Sequence, residues 1–156
     1  MRTGAVRCRL AGAAALAVLA LAWAPAASAQ VITQTQALDF GRIALGSGSG
    51  SVTVTPSGGV SCGPHFCLGS HQSGSFQVVG LALTTWDITF SSGDLLTRQG
   101  GSETLALENL VDSHGGSITL GLLGTGSFTV GGDLVLPSTS TGGDYVGTYE
   151  VFLENP

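Results

Sequence analysis

Alternation of apolar and polar residues in the C-terminal third constrains this chain more than any other feature of its sequence. Between Gly124 and Leu153, Phe128 and Val130 alternate with serine and threonine, and the same period continues further on. A period of two residues is typical of β-strands with one face buried and the other in solvent. The pair Gly131-Gly132 interrupts the pattern and predicts a tight turn between two antiparallel strands.

The N-terminal residues have the three parts of an export signal. Basic residues at the start precede an apolar run, about Leu10 to Ala22, and an A-x-A site of small residues that ends at Ala29. These features predict a signal peptide over 1–29 with cleavage between Ala29 and Gln30. The alternative is an uncleaved N-terminal anchor. The short apolar run and the lack of a second apolar stretch favour cleavage.

The expected mature chain is acidic and has few charges. Removing 29 residues from 156 leaves 127, which we interpret as a single domain over 30–156. All ten acidic residues lie in this part, with Arg42 and Arg98 as its basic residues, so its net charge is −8. Such a chain repels phosphate groups and lacks the basic clusters needed by nucleic-acid or anionic-lipid binding. We expect an exported protein of the periplasm, cell surface or medium, with no membrane span in the mature chain.

Short alternating segments recur about every ten residues after the predicted cleavage point. They predict strands over Val31–Phe40, Val52–Thr55, Ser75–Leu83, Trp86–Phe90, Thr104–Val111 and Ser117–Leu122, and a last strand with Tyr149, Val151 and Leu153 on one face. Thr104–Val111 also fits a helix face, and its β neighbours favour a strand. Ser57–Gly74 predicts a long polar loop. This spacing indicates an all-β antiparallel sandwich rather than alternating strands and helices.

The cysteines offer two interpretations. Cys62 and Cys67 are the only ones left after cleavage, and an even pair in an exported protein predicts a disulfide. The alternative is a metal site, because His65 and His71 lie in the same ten residues. Their spacing matches none of the usual zinc patterns, and an oxidising compartment favours the disulfide.

One short motif has the form of a hydrolase signature. Residues 59–63 match G-x-S-x-G, in which Ser61 would stand on a sharp turn between a strand and a helix. Pro64 and Cys67 follow, without a helical pattern. We interpret the match as chance in a chain rich in glycine and serine.

Two further groups have a chemical and a structural interpretation. His114 follows Asp112 and Ser113, as in a fragment of a catalytic triad, but adjacent loop residues seldom converge, so a surface turn is favoured. Four aromatic residues suggest a sugar site, although packing in a core is the simpler interpretation. They are Trp86, Phe128, Tyr145 and Tyr149. We predict no catalytic residue, no metal and no cofactor.

Four segments together resemble the bacterial family called domain of unknown function 4402. They are Ile32–Gly41, Phe76-x-Val-x-Gly80, Gly124–Leu136 and Gly143-x-Tyr-x-Gly-x-Tyr-x-Val151. The resemblance covers nearly the whole mature chain. It implies an exported, immunoglobulin-like β-sandwich reminiscent of pilin subunits, with no catalytic residues to carry over. The chain departs from the pattern in its Cys62–Cys67 loop, which looks like an insertion, and in its end, which lacks a final aromatic residue.

The resulting function hypothesis is a non-catalytic structural or adhesive surface protein. We expect a pilin-like subunit that pairs strands with itself or with other surface subunits, because sheet edges offer unpaired N–H and C=O groups. The alternative is a monomeric secreted module that binds carbohydrate or protein through Ser57–Gly74. For a pilin-like subunit, the question is whether the last strand pairs with the first strand of its own chain or with that of a neighbouring subunit.

Overall fold

The computed structural model describes residues 30–156, all of whose regular secondary structure is β-strand. The predicted signal peptide, with Ala29 at its end, lies outside the described residues, and Gln30 is the first residue inside them. Among the described residues there is no helix long and apolar enough to cross a bilayer. The predicted all-β class is confirmed.

Thirteen strands are formed by residues 30–156. They are β1 (Val31–Gln36), β2 (Arg42–Ala44), β3 (Gly50–Val54), β4 (Val60–Ser61), β5 (Phe66–Leu68), β6 (Gly74–Val79), β7 (Thr85–Phe90), β8 (Asp94–Arg98), β9 (Thr104–Asp112), β10 (Ser117–Thr119), β11 (Thr125–Leu136), β12 (Gly143–Val146) and β13 (Val151–Glu154). The ambiguous segment around Leu107 is therefore a strand, as predicted.

The strands form two antiparallel sheets. The large sheet has the order β1-β6-β11-β9-β8-β12-β2-β5, and β3 adds to β11 with β4 beside it. The small sheet has the order β10-β7-β13. The twelve-residue strand β11 is central, because its first half pairs with β6, its second half with β3, and β9 lies along its other side. All strands and their pairings lie within residues 30–156.

Two hydrophobic cores lie on this framework. In the first core, the curled large sheet encloses apolar side chains from β2, β3, β8, β9, β11 and β12, including Ile43 and Leu134. In the second core, the small sheet packs on β6 and β11, where the rings of Phe76 and Phe128 stack at 5.3 Å. Leu110 and Tyr149 pack against both cores. Burial of apolar surface in these layers is the main force that stabilises such a fold.

The tight turn predicted at Gly131-Gly132 is wrong. Both glycines lie inside β11, and neither has a positive φ. A Cβ on Gly131 would lie 2.2 Å from the carbonyl oxygen of Val54, and a Cβ on Gly132 would lie 3.0 Å from Leu110. The glycines are thus required because neighbouring segments of the same chain approach β11 closely at this point. The register between β11 and β9 also shifts here.

Several other boundaries differ from the sequence predictions. The strand predicted over Ser75–Leu83 ends at Val79, and the strand predicted over Ser117–Leu122 ends at Thr119. The predicted first strand ends at Gln36, and the chain resumes in β2 after a bend at Gly41. The predicted loop Ser57–Gly74 contains the short strands β4 and β5, which pair with β3 and β2. β8 was not predicted. The last strand β13 pairs with β7 and the first strand β1 pairs with β6, so the two do not form one ladder.

Candidate functional site

The predicted disulfide is formed in the structure. Cys62 and Cys67 are bonded, with 5.8 Å between their Cα atoms, and the loop between them joins β4 to β5. Inside the loop, His65 is buried, and its Nδ1 accepts a hydrogen bond from the Gly46 amide at 3.3 Å. The disulfide prediction is confirmed, and the loop is fixed to the edge of the large sheet.

The structure does not favour the metal alternative. Both cysteine sulfurs are used in the disulfide, so they are not thiolate ligands. Within residues 30–156 there is no group of three or more His, Cys, Asp or Glu side chains placed to hold an ion. His65 is instead part of the loop's packing.

Ser61 does not lie on a nucleophile elbow. It is an exposed residue at the end of β4, and the chain passes directly into the disulfide loop. A nucleophile elbow requires a helix after the serine, and residues 62–68 form a turn and a strand. The match to G-x-S-x-G therefore lacks the structure that gives the motif its chemistry.

Asp112, Ser113 and His114 form a hydrogen-bonded surface turn. The Asp112 carboxylate accepts hydrogen bonds from the backbone amides of His114 at 2.6 Å and Gly116 at 2.8 Å. Ser113 Oγ lies 3.1 Å from His114 Nδ1 and accepts a bond from the Thr129 amide. The carboxylate bonds to backbone and not to the imidazole, so the groups are connected as in a turn and not as in a triad.

A cavity of about 350 Å³ opens where β2 and β12 separate. Their pairing stops at Asp144 opposite Arg42, because the chain before Arg42 turns away at Gly41 and bridges to Gln72. Residues 37–41 line one side of the cavity and 144–147 line the other. Leu96 and Leu107 also line it. The lining combines these apolar residues with polar ones, Asp39, Gln72, Gln99 and Asp144. One flank includes part of β12, and the other is the segment between β1 and β2.

Two tyrosines border this cavity in different ways. Tyr145 is buried in the first core, and its hydroxyl donates to the Thr141 carbonyl four residues upstream, in the manner of the tyrosine corner of β-sandwiches. Burial, and then the nearby Glu103 carboxylate, raise the pKa of Tyr145. The Tyr149 hydroxyl is buried without a hydrogen-bond partner among the described residues, and burial raises its pKa to about 12.

The four aromatic residues considered for a sugar site do not come together. Tyr145 belongs to the first core, whereas Phe128 and Trp86 belong to the second. Tyr149 touches both cores and meets Phe76 edge-on, with 6.2 Å between ring centroids. Their rings fill the interior instead of forming a shared stacking platform.

The N-terminal strand β1 forms one edge of the large sheet. It pairs with β6 from Val31 opposite Val79 to Gln36 opposite Ser75, and no strand of residues 30–156 pairs with its other side. Five of its six residues are exposed, and the remaining residue, Ile32, packs against the second core. With six residues, β1 is the longest strand at an end of either sheet order within residues 30–156.

Comparison with known families identifies the family of this chain. The profile of the family described as Domain of unknown function (DUF4402) matches residues 31–154. The chain belongs to this family. The DUF4402 match includes every strand described here and begins two residues after the predicted cleavage point at Ala29. No curated protein and no solved structure matched the chain.

Sequence reasoning missed the cavity of this DUF4402 domain. Its two sides are separated by about a hundred residues of chain, so local periodicity could not predict that they become neighbours. One local signal was present. Asp39 and Gly41 form a turn in which the Asp39 carboxylate accepts a hydrogen bond from the Gly41 amide at 2.8 Å. Gly41 has a φ of +67°. An Asp followed by a glycine two residues later is typical of such bends.

Proposed function

We propose that this protein is an exported structural or adhesive surface subunit that assembles by strand pairing at the β1 edge. The proposal includes removal of the signal peptide and residence at the periplasmic or outer face of the cell. An oxidising compartment fits the Cys62–Cys67 disulfide. The observation that carries the proposal is the way in which β1 is attached.

β1 is joined to the domain mainly by its backbone. Ile32 is its one side chain in a core, and the side chains of Thr35 and Gln36 donate hydrogen bonds to the carbonyls of Ser75 and Ser73. Gln30, just before β1, donates to the Leu153 carbonyl. A strand held in this way exposes little apolar surface when it leaves. When β1 leaves, the backbone N–H and C=O groups of β6 become free. An equivalent strand from another subunit is then able to pair with β6.

The edge also lacks charges and proline that would oppose strand addition, and its one irregularity is a register shift between Gln34 and Gln36 near its end. Natural proteins block exposed edges with lysine, proline or an inward charge. The sequence of β1, Val-Ile-Thr-Gln-Thr-Gln, contains none of these. Its polar residues are uncharged and β-compatible, which keeps the strand soluble without preventing it from pairing. Both the outer side of β1 and the β6 edge beneath it therefore support assembly.

The test separates strand exchange from simple edge packing. We expect deletion of Gln30–Gln36 to lower the melting temperature of the domain by at least about 5 °C, because it removes a ladder and the Ile32 contact. A synthetic peptide of residues 30–37 should bind the shortened domain and restore its melting temperature. The matched control is the same peptide with Ile32→Asp, which keeps the length and removes the core contact.

The proposal requires both binding and assembly. The intact domain should form oligomers as its concentration rises, measured by light scattering, and the peptide of residues 30–37 should reduce them. Strand exchange is wrong if the deletion leaves the melting temperature unchanged and the intact domain stays monomeric. Peptide binding without concentration-dependent assembly would reduce β1 to a structural strand.

One observation favours the alternative of a monomeric binding module. Phe66 and Leu68 are 62% and 49% exposed on β5, directly beside the disulfide. They present apolar surface on a rigid loop, as binding loops often do. A glycan array with the intact domain and with Phe66→Ser tests this function. Loss of a specific signal in the variant supports it, and the absence of any loop-dependent ligand counts against it.

A further inference from the structure

Four exposed leucines are concentrated at one end of the molecule, in a region that we call the apolar tip. The apolar tip consists of the loop 80–84 between β6 and β7 and the turn 121–124 between β10 and β11. Leu81 and Leu83 are 57% and 64% exposed, and Leu122 and Leu123 are 80% and 89% exposed. Leaving so much apolar side-chain area in water costs free energy, and clustered exposure of this kind marks an interaction surface.

The backbone holds the apolar tip in this form. The Gly80 amide donates to the Gly124 carbonyl at 2.8 Å, which joins the two loops, and the Gly124 amide donates back to Gly121 within the turn at 2.9 Å. Leu83 has a φ of +61°, which is uncommon for a leucine, and its amide bonds to the Leu120 carbonyl. The leucines are therefore presented by a connected scaffold.

The two loops of the apolar tip carry no charge, and the acidic residues Asp87 and Glu154 lie opposite each other on β7 and β13, where Asp87 is three residues beyond the first loop. Neither 79–85 nor 119–127 contains a charged residue, although the chain from Gln30 onward has a net charge of −8. The pair Val31 and Val79, which lie opposite each other on β1 and β6, extends the apolar surface with exposures of 54% and 47%. An electrically neutral apolar end on an acidic domain fits a neutral apolar partner.

The shape and size of the apolar tip indicate a lipid surface as that partner. Leu122 and Leu123 stand at the two central positions of a tight turn, so they project from the molecule. A stable protein interface buries about 800 Å² on each partner and uses roughly 20 to 30 residues, which is far more than this tip offers. A bilayer accepts a small convex apolar tip without a complementary shape.

The N-terminal end of the domain lies at the same place. A Cβ on Gly80 would lie 3.7 Å from the Gln30 side chain, so the chain enters the domain beside the tip. The apolar run Leu10–Ala22 ends eight residues before Gln30. While the precursor still carries this run, eight extended residues span at most about 29 Å, so the tip starts close to the membrane that holds the run. After cleavage at Ala29 this tether is gone, and the tip itself has to make the contact.

We propose that the apolar tip inserts Leu122, Leu123 and their neighbours into the interface of a neutral lipid bilayer, with the N-terminal end of the domain facing the membrane. The two leucines of the turn enter most deeply, and Leu81 and Leu83 lie at the boundary. Binding depends on buried apolar area and not on charge, so salt has little effect on it.

The test uses flotation of the domain from Gln30 to Pro156 with phosphatidylcholine vesicles. We expect the domain to bind, and we expect Leu122→Ser with Leu123→Ser to reduce its partition coefficient by at least about tenfold. The matched control is Leu95→Ser with Val111→Ser, which removes two exposed apolar side chains on β8 and β9. The control should bind as the unchanged domain does. Melting temperatures confirm that each variant is folded.

The outcomes are distinct. No flotation of the unchanged domain, or equal flotation of the tip variant, overturns the proposal. Oligomers that the tip variant abolishes, without vesicle binding, would assign the apolar tip to contacts between copies and would also overturn it. A requirement for anionic lipid or loss of binding in high salt contradicts the neutral-lipid mechanism. The tip variant should still bind the peptide of residues 30–37 after deletion of β1, so this proposal and strand exchange fail separately.

Discussion

Tyr149 shows how a single residue connects the two cores while retaining an unsatisfied polar group. Its ring packs against both cores, and its hydroxyl is buried without a partner among the described residues. Gly74 makes room for this hydroxyl, because a Cβ there would lie 2.5 Å from it. A buried hydroxyl without a hydrogen bond costs about 1 to 3 kcal/mol. The residue therefore has a large packing role and a locally unfavourable atom.

We expect Tyr149→Phe to increase the free energy of unfolding by about 1 kcal/mol, because it keeps the ring and removes the unpaired hydroxyl. Urea denaturation of the two proteins measures the change. Gly74→Ala serves as a companion variant: it should destabilise the domain with tyrosine at 149 and do so less with phenylalanine. A loss of stability in Tyr149→Phe would show that water or a protein group bonds the hydroxyl.

The same hydroxyl predicts a dependence of stability on alkaline pH. Burial raises the pKa of Tyr149 from 10.0 to about 12. In the unfolded chain the hydroxyl loses its proton near pH 10, while in the folded domain it stays protonated until about pH 12, so stability falls as pH rises between these values. The loss should be about 1 to 2 kcal/mol after allowance for partial exposure. Denaturation from pH 9 to 12 measures it, and Tyr149→Phe should remove this part of the loss.

At the scale of elements, the sequence predicted strands where several alternating residues enter a core. The second half of β3 and most of β7 lie where the period of two placed them. All but the last residue of β9 lies in Thr104–Val111, which also fitted a helix and was assigned to a strand because of its β neighbours. β8 was missed because Leu96 is its one buried residue, while its neighbour Leu95 is exposed. A single inward side chain creates no period.

Glycine caused the largest error in element assignment. In the sequence, Gly131-Gly132 has the form of a hairpin turn. The structure shows that these glycines instead allow neighbouring segments of the chain to pack closely on β11. The Cys62–Cys67 disulfide was predicted because its evidence is local. The cavity between 37–41 and 144–147 was not predicted, because it depends on which distant strands become neighbours.

The disulfide should stabilise the β4–β5 element, and Cys67 also packs against the first core. Replacing both Cys62 and Cys67 with serine removes a covalent link across a short loop, for which loop entropy predicts a loss of about 2 kcal/mol in the free energy of unfolding. Urea denaturation measures this loss, and reduction of the unchanged domain should reproduce it. A much larger loss, or failure to fold, would show that the loop supports the first core.

At the scale of the whole molecule, shared residues should make the two cores unfold together. Leu110 and Tyr149 contact both cores, and β11 supplies side chains to each. Trp86 packs against the second core and is the only tryptophan between Gln30 and Pro156. We expect the thermal transition measured by Trp86 fluorescence in this domain to coincide with the transition measured by far-ultraviolet circular dichroism.

Transitions at different temperatures would contradict cooperative unfolding of the two cores. If fluorescence changes at a lower temperature than circular dichroism, the small sheet unfolds while the first core persists, and the domain contains two units of different stability. Leu110→Ala is the informative variant, because it weakens the contact shared by the cores. It should lower both transitions by the same amount if unfolding is cooperative.

The central position of β11 has a consequence for the order in which the chain can fold. β11 supplies Phe128 and Val130 to the second core and Leu134 and Leu136 to the first, so neither core has its central strand until β11 is available. Tyr145 of the first core and Val151 and Leu153 beside the second come later still. A chain that emerges with its N-terminus first must therefore present β3 and β6 without their shared partner for most of its passage. Unpaired strands are the species from which misassembly begins. We therefore expect neither half of the domain to be stable before β11 is present, and we expect both halves to depend on its arrival.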